Sequence, residues 1–272
     1  MKFLAKSCHS VIGFVFLFIG LSIVSWNVGE AKPFVLHSIT VTPDATLLTT
    51  AKVTAHGVLT TALGTYTESD YTAANWTALT GFKSAGDTAI DAATDLAWVT
   101  LAQTTSLTGM AGVPTIVVGD SYGGGIIAYI LVSGDPGYVA GQTHGLIAAP
   151  SDQSTGIVWS GKYSLIGKTG TAIGTGAGNT TAIVANEGAG SYAAKLCDDL
   201  VLNGYSDWYL PSQEELKKLY LNNSAIGGFA LADYWSSSEL SAATAWRQYF
   251  RYDYVANSDK TLYLRVCAVR SF

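Results

Sequence analysis

The alternation of apolar and polar positions changes character four times along the chain. Two lysines, Lys2 and Lys6, precede an apolar run from Val11 to Val24. Residues 33–66 are short Thr/Val/Leu segments broken by Pro43, Gly57 and Gly64, a pattern that predicts an extended or strand-like spacer over 32–66. Tyr71, Trp76, Leu79 and Phe82 then approximate one helical face, and Ile90, Leu96, Trp98, Leu101, Leu107 and Met110 continue it. Three short helices are expected in a small module over 67–113, with Asp87 and Asp95 as N-caps and Trp76 and Trp98 in its core. Val113 and Pro114 mark the boundary. Beyond it, strands are expected in four runs: Thr115 to Val118, Ile126 to Val132, His144 to Pro150, and Gly156 to Trp159. Residues 167–181 read as a Gly/Thr-rich loop, and Ile183 to Leu202 as the first helix of this part. Ser212 with Glu215 forms the S-x-x-E capping box of a second helix through Leu216, Leu219 and Tyr220. Aromatic and β-branched strands follow at Tyr234-Trp235, Ala245 to Tyr254 and Thr261 to Val269.

Composition narrows the function classes. Charged residues are 13% and the net charge is −5, so no global basic surface draws phosphate backbones, and a nucleic-acid partner is not expected. The basic start, the apolar run and the small residues Val28-Gly29-Glu30-Ala31 read as a secretory signal peptide over 1–31, cleaved after Ala31. The alternative is a retained anchor, although the run is shorter than the roughly 18 apolar residues a span needs. Either way the chain is expected to be secreted or held at the cell surface, meeting a membrane only through that segment.

Several spaced motifs carry a family resemblance. GYSDWYLPSQEEL (204–216), YWSSSE (234–239), Ala245-Trp246 and RVCAVRSF (265–272) occur in order, behind GDSYGGGIIAYI (119–130), HGLIAA (144–149) and GTGAGNT (174–180). Together they resemble the Lcl-type C-terminal domain, a bacterial domain of C-type-lectin-like fold related to the variable proteins of diversity-generating retroelements. The resemblance runs from about Val117 to the C-terminus. It implies an α+β architecture over 114–272, mixed and mainly antiparallel strands with two helices, behind the helical module and signal peptide. Trp208, Trp235 and Trp246 fall at its motif positions and are expected in the core. The segment around YTAANW more weakly resembles the helical FIVAR repeats of bacterial surface proteins.

Export leaves Cys197 and Cys267 in the mature chain. An oxidising compartment permits a disulfide between them, and C-type-lectin-like domains commonly join an early helix to the final strand in this way. Closing a loop of about 70 residues would contribute roughly 4 kcal/mol. The alternative is two buried free thiols.

Motifs for catalysis are incomplete. Gly119-Asp-Ser121-Tyr-Gly123 fits G-x-S-x-G, but Gly124 and Gly125 lead into a strand rather than a helix, and only His144 follows it. The stretches 156–162 and 161–169 resemble phosphate loops, yet neither has both the spacing and the Ser/Thr ending, and neither opens a helix. The mature chain has no close His/Cys cluster, and no Glu-Pro-Asn, Gln-Pro-Asp or Trp-Asn-Asp triplet of a lectin calcium site. No catalytic residue, metal or cofactor is therefore assigned, and the protein is not expected to be an enzyme.

In the resembling fold, ligands meet the late strands and the loops between them. Here that implies Ser237, Glu239, Arg247, Tyr249, Arg251, Tyr254 and Asn257 as ligand-binding residues. Alternation leaves Arg247, Tyr249 and Arg251 outward if Trp246 points inward. Tyrosine with arginine on a rigid strand is a composition typical of recognition surfaces; a solvated sheet face is the alternative. The expected role is adhesin-like, non-catalytic recognition of an extracellular polysaccharide or surface protein. A diversified receptor of the retroelement type and a structural surface component are the other readings. Arg265 and Arg270 are expected to anchor structural hydrogen bonds.

Overall fold

The computed structural model describes residues 45–272; the expected signal peptide and most of the expected spacer lie outside that range. Its first element corrects the spacer. Ala45–Leu63 is a 19-residue α-helix, α1, not an extended segment. Its threonines are the reason the sequence looked strand-like. Along the helix, hydroxyls such as those of Thr49 and Thr54 fold back onto the carbonyls four residues earlier. Tertiary packing of Ala55 and Leu59 then decides the conformation.

Two further helices complete a bundle: α2 over Ala73–Ala92 and α3 over Leu96–Ala111. The side chains of Thr72 and Asp95 cap them by accepting from Asn75 N at 3.2 Å and Trp98 N at 2.9 Å. Asp87 is not a cap. It lies inside α2, where His56 Nδ1 stands 2.6 Å from its Oδ1 and Lys83 pairs with it. Close α2–α3 packing depends on small residues: a Cβ at Gly86 would sit 2.6 Å from Ser106, and one at Gly109 would meet the Phe82 ring. The core holds Leu59, Leu79, Ile90, Val99 and Met110. Trp76 is half-buried, but Trp98 is 55% exposed, against expectation.

The C-terminal part is α+β, as the motifs imply. Thr115 to Val118 forms no strand; its role is a crossing, with Ile116 N donating to Asp70 O of the bundle at 2.8 Å. Strands β1 (Ser121–Tyr122) and β2 (Gly125–Ile130) make a hairpin through Gly123 and Gly124, both at positive φ. That two-residue turn is what the G-x-S-x-G match becomes. Strands β3 (Gly145–Ala148) and β4 (Ser154–Ile157) follow. The expected single first helix is two, α4 (Gly176–Glu187) and α5 (Ala193–Asp198), with Gly188 ending the former at φ 74°. α4 also begins inside the expected loop. Helix α6 spans Gln213–Leu221 with both halves of its capping box formed, and α7 is a short turn at Asn223–Ile226. The late strands are β5 (Asp233–Glu239), β6 (Thr244–Tyr249), β7 (Tyr254–Asp259), β8 (Leu264–Val266) and β9 (Val269–Ser271).

These pair into two sheets of order β1-β2-β3-β9 and β4-β8-β5-β6-β7, antiparallel except for β5 beside β8. Strand alternation builds a separate core on each side. Ile147, Trp208, Leu210, Trp235, Val266 and Ala268 pack with α4 and α5 residues such as Ile183 and Ala194. Their neighbours Leu146, Ala148, Tyr209, Tyr234, Cys267 and Val269 pack instead with Leu216 and Leu219 of α6.

The expected disulfide between Cys197 and Cys267 is not formed. Cys197 and Cys267 are both buried, and both are free thiols. Cys197 belongs to the α4–α5 core, whereas Cys267 turns to the α6 core between Val266 and Ala268, which face the other way. Burial pushes both thiols up. Among the described residues no helix is long and apolar enough to cross a membrane.

Candidate functional site at the open end of the late strands

The strands β5, β6 and β7 have two unlike ends. At the β5–β6 hairpin end, polar side chains turn inward. The three serines of YWSSSE are fully buried. Ser236 Oγ donates to Trp246 O at 2.8 Å, Ser237 Oγ accepts from Asn179 Nδ2 at 3.0 Å, and Ser238 Oγ donates to Gly170 O at 2.7 Å. Glu239 accepts from Ile166 N and Gly167 N at 3.0 Å and pairs with Lys260. Lys260 is itself fully buried, donates to Ser164 O at 3.0 Å, and lies 4.5 Å over the Trp159 ring. Ser237 and Glu239, expected to bind ligand, are thus a stitch and a clamp holding the 160–170 loop. A motif shows which residue types are present, not that their hydrogen-bonding capacity is already used.

At the other end the strands open onto solvent. Asp233, Arg247, Tyr249, Tyr252, Asp253 and Tyr254 line a concavity of about 560 Å³, within the range usual for small-ligand clefts. Register explains the gathering. Tyr249 pairs with both Asp233 on β5 and Tyr254 on β7, and Arg247 is the next residue of that face. The same face continues inward to Ala245 and Trp235 in the core, so the site is the solvated end of a packed surface. The Arg247 guanidinium pairs with Asp233 and donates through Nε to Ser258 Oγ at 2.7 Å. Tyr249 and Tyr252 meet edge to face at 5.9 Å. Asp253 is paired with Lys217 of α6.

Of the expected ligand-binding residues, Arg247, Tyr249 and Tyr254 come together here. Arg251 sits exposed in the β6–β7 turn with its guanidinium 5.6 Å over the Tyr252 ring. Asn257 is exposed but pairs with Trp246, which places it on the opposite face. Trp246 is half-buried rather than core. Asp233, Tyr252 and Asp253 were missed. The turn residues follow no alternation, and only the strand register brings Asp233 beside Tyr249. Arg265 pairs with Asp152 at 2.7 Å, and Arg270 holds Asp207 with two bonds of 2.8 and 2.9 Å, both structural. Among the described residues no group of three or more His, Cys, Asp or Glu is placed to hold a metal ion.

Residues 149–270 match the family model of the Lcl C-terminal domain, so this part of the chain is a domain of that family. The match begins after β3, although β1, β2 and β3 share a sheet with β9 at the C-terminus. No curated protein matches the chain.

Proposed function

We propose that this protein is an exported, non-catalytic, adhesin-like binding protein. It acts at the cell surface or in the medium, recognising an extracellular polysaccharide or surface protein through the open end of β5–β7. One observation carries this reading: Tyr249, Tyr252 and Tyr254 converge with Arg247 on a solvated concavity, and rigid paired strands hold two of the three rings. Tyrosine on a preorganised strand presents a large amphipathic face at little cost in side-chain entropy. The reading assigns no catalytic group, cofactor or metal.

The test is capture of the purified full chain on an array of polysaccharides and surface proteins, with and without chelator. Chelator-insensitive capture that is lost in a Tyr249→Ala/Tyr254→Ala variant of unchanged melting temperature supports the site. Capture that survives the variant removes it, and capture lost on chelation assigns the site a metal.

A further inference from the structure

The charges lining the concavity are arranged as two closed pairs. Arg247 is consumed by Asp233 and Ser258, and Lys217 is consumed by Asp253. The lining itself holds one cation, Arg247, and two carboxylates, Asp233 and Asp253, and Lys217 from outside it closes the second pair, so the paired charges sum to zero. An anionic ligand would meet a carboxylate beside each of these cations, and a cationic ligand the reverse. A charged group that inserted into either pair would gain one contact and be repelled by the other partner, so the pairs give it little net attraction. What stays available is the tyrosine rings with their hydroxyls, Tyr252 and Tyr254 each with an arginine over one face only, and the second oxygens of Asp233 and Asp253 as acceptors. The exposed cation at the rim, Arg251, already lies over Tyr252. The chain as a whole carries −5, which gives a polyanion no long-range attraction.

Resting on the proposed function above, we infer that the ligand at this site is an uncharged polysaccharide, with a neutral sugar ring laid against the tyrosines. A pyranose ring presents an apolar C–H face to an aromatic plane, while its rim hydroxyls donate to carboxylate oxygens. That combination matches rings and acceptors in one concavity. Sulfated or uronic-acid polymers would find one cation outside the ion pairs, Arg251 at the rim, against two carboxylates in the lining, and match it less well.

The experiment compares full-chain binding to an unsulfated neutral hexose polymer and to a sulfated polysaccharide, at low and high salt. The neutral polymer is expected to bind, to change less than about twofold with salt, and to lose at least about tenfold in Tyr249→Ala/Tyr254→Ala. Tyr252→Ala, which lies in the β6–β7 turn outside the strand ladder, is expected to weaken binding in the same direction. Preference for the sulfated polymer, falling about tenfold or more with salt and abolished by the tyrosine changes, overturns this inference while leaving the proposed site standing. Binding of either polymer that ignores the tyrosine changes overturns both. Failure of both polymers to bind overturns the neutral-sugar assignment and leaves the site to the surface-protein arm of the array.

Discussion

The two ends of the β5–β6–β7 sheet use the same residue types for opposite purposes. At the hairpin end, the Lys260–Glu239 pair is buried, at 0% and 3% side-chain exposure. The carboxylate also receives two backbone N–H groups, and the lysine lies on a tryptophan ring. At the open end, the Arg247–Asp233 pair keeps 20% and 29% exposure beside three tyrosines. Burial makes the first pair an architectural clamp, since a charge removed from water must find every partner inside the protein. Partial solvation leaves the second pair adjustable and cheap to lose. A carboxylate on a late strand is thus no indication of a binding site until its partners are known.

The contrast predicts graded outcomes. Lys260→Met leaves Glu239 buried without its countercharge and is expected to cost about 3–5 kcal/mol in denaturant unfolding. A cost below about 1 kcal/mol would erase the distinction between the two ends. Ser212→Ala removes a buried but uncharged contact, one half of the α6 capping box, and is expected to cost about 1 kcal/mol by the same measurement. Arg247→Met at the open end is expected to cost less than about 1 kcal/mol, despite its position at the candidate site. A larger loss would place it with the clamp.

The smallest effect lies in the helical bundle, where His56 faces Asp87 at 2.6 Å and Asp91 at 3.0 Å. The hydrogen bond to Asp87 is the main influence raising the His56 pKa; burial opposes it, and Asp91 adds to it. With a folded pKa above the unfolded one, this contribution is fully present below about pH 6.5. It is lost as pH rises through the folded value. Thermal melts across that range should show the decline in the parent chain and a flatter profile in His56→Gln. An identical profile in both would show that the bridge contributes nothing.

Local rules made much of the fold legible. The S-x-x-E box placed α6, the apolar runs at 126–132 and 144–150 placed β2 and β3, and ordered aromatic motifs placed the late strands. The failures have a common origin. Ala45–Leu63 has strand-like composition but packs as a helix, because Ala55 and Leu59 find a core against α2 and α3. Ser237 and Glu239 had the right chemistry for a ligand and the wrong neighbours. Cys197 and Cys267 lie in the expected helix and final-strand region and near enough for Cys267 to raise the Cys197 thiol, yet both are free thiols.

By itself the sequence determined the class of the C-terminal domain, the start of α6, and the tyrosine–arginine content of its late strands. Capping, turn geometry and hydrophobic period are short-range and act within a few residues. Only the tertiary structure decided which polar groups are spent. Asp233 meets Tyr249, Lys260 meets Glu239 and Lys217 meets Asp253 through sheet register and helix packing. Whether a charge clamps a loop or lines a site depends on partners that are remote in the chain and adjacent only once it has folded.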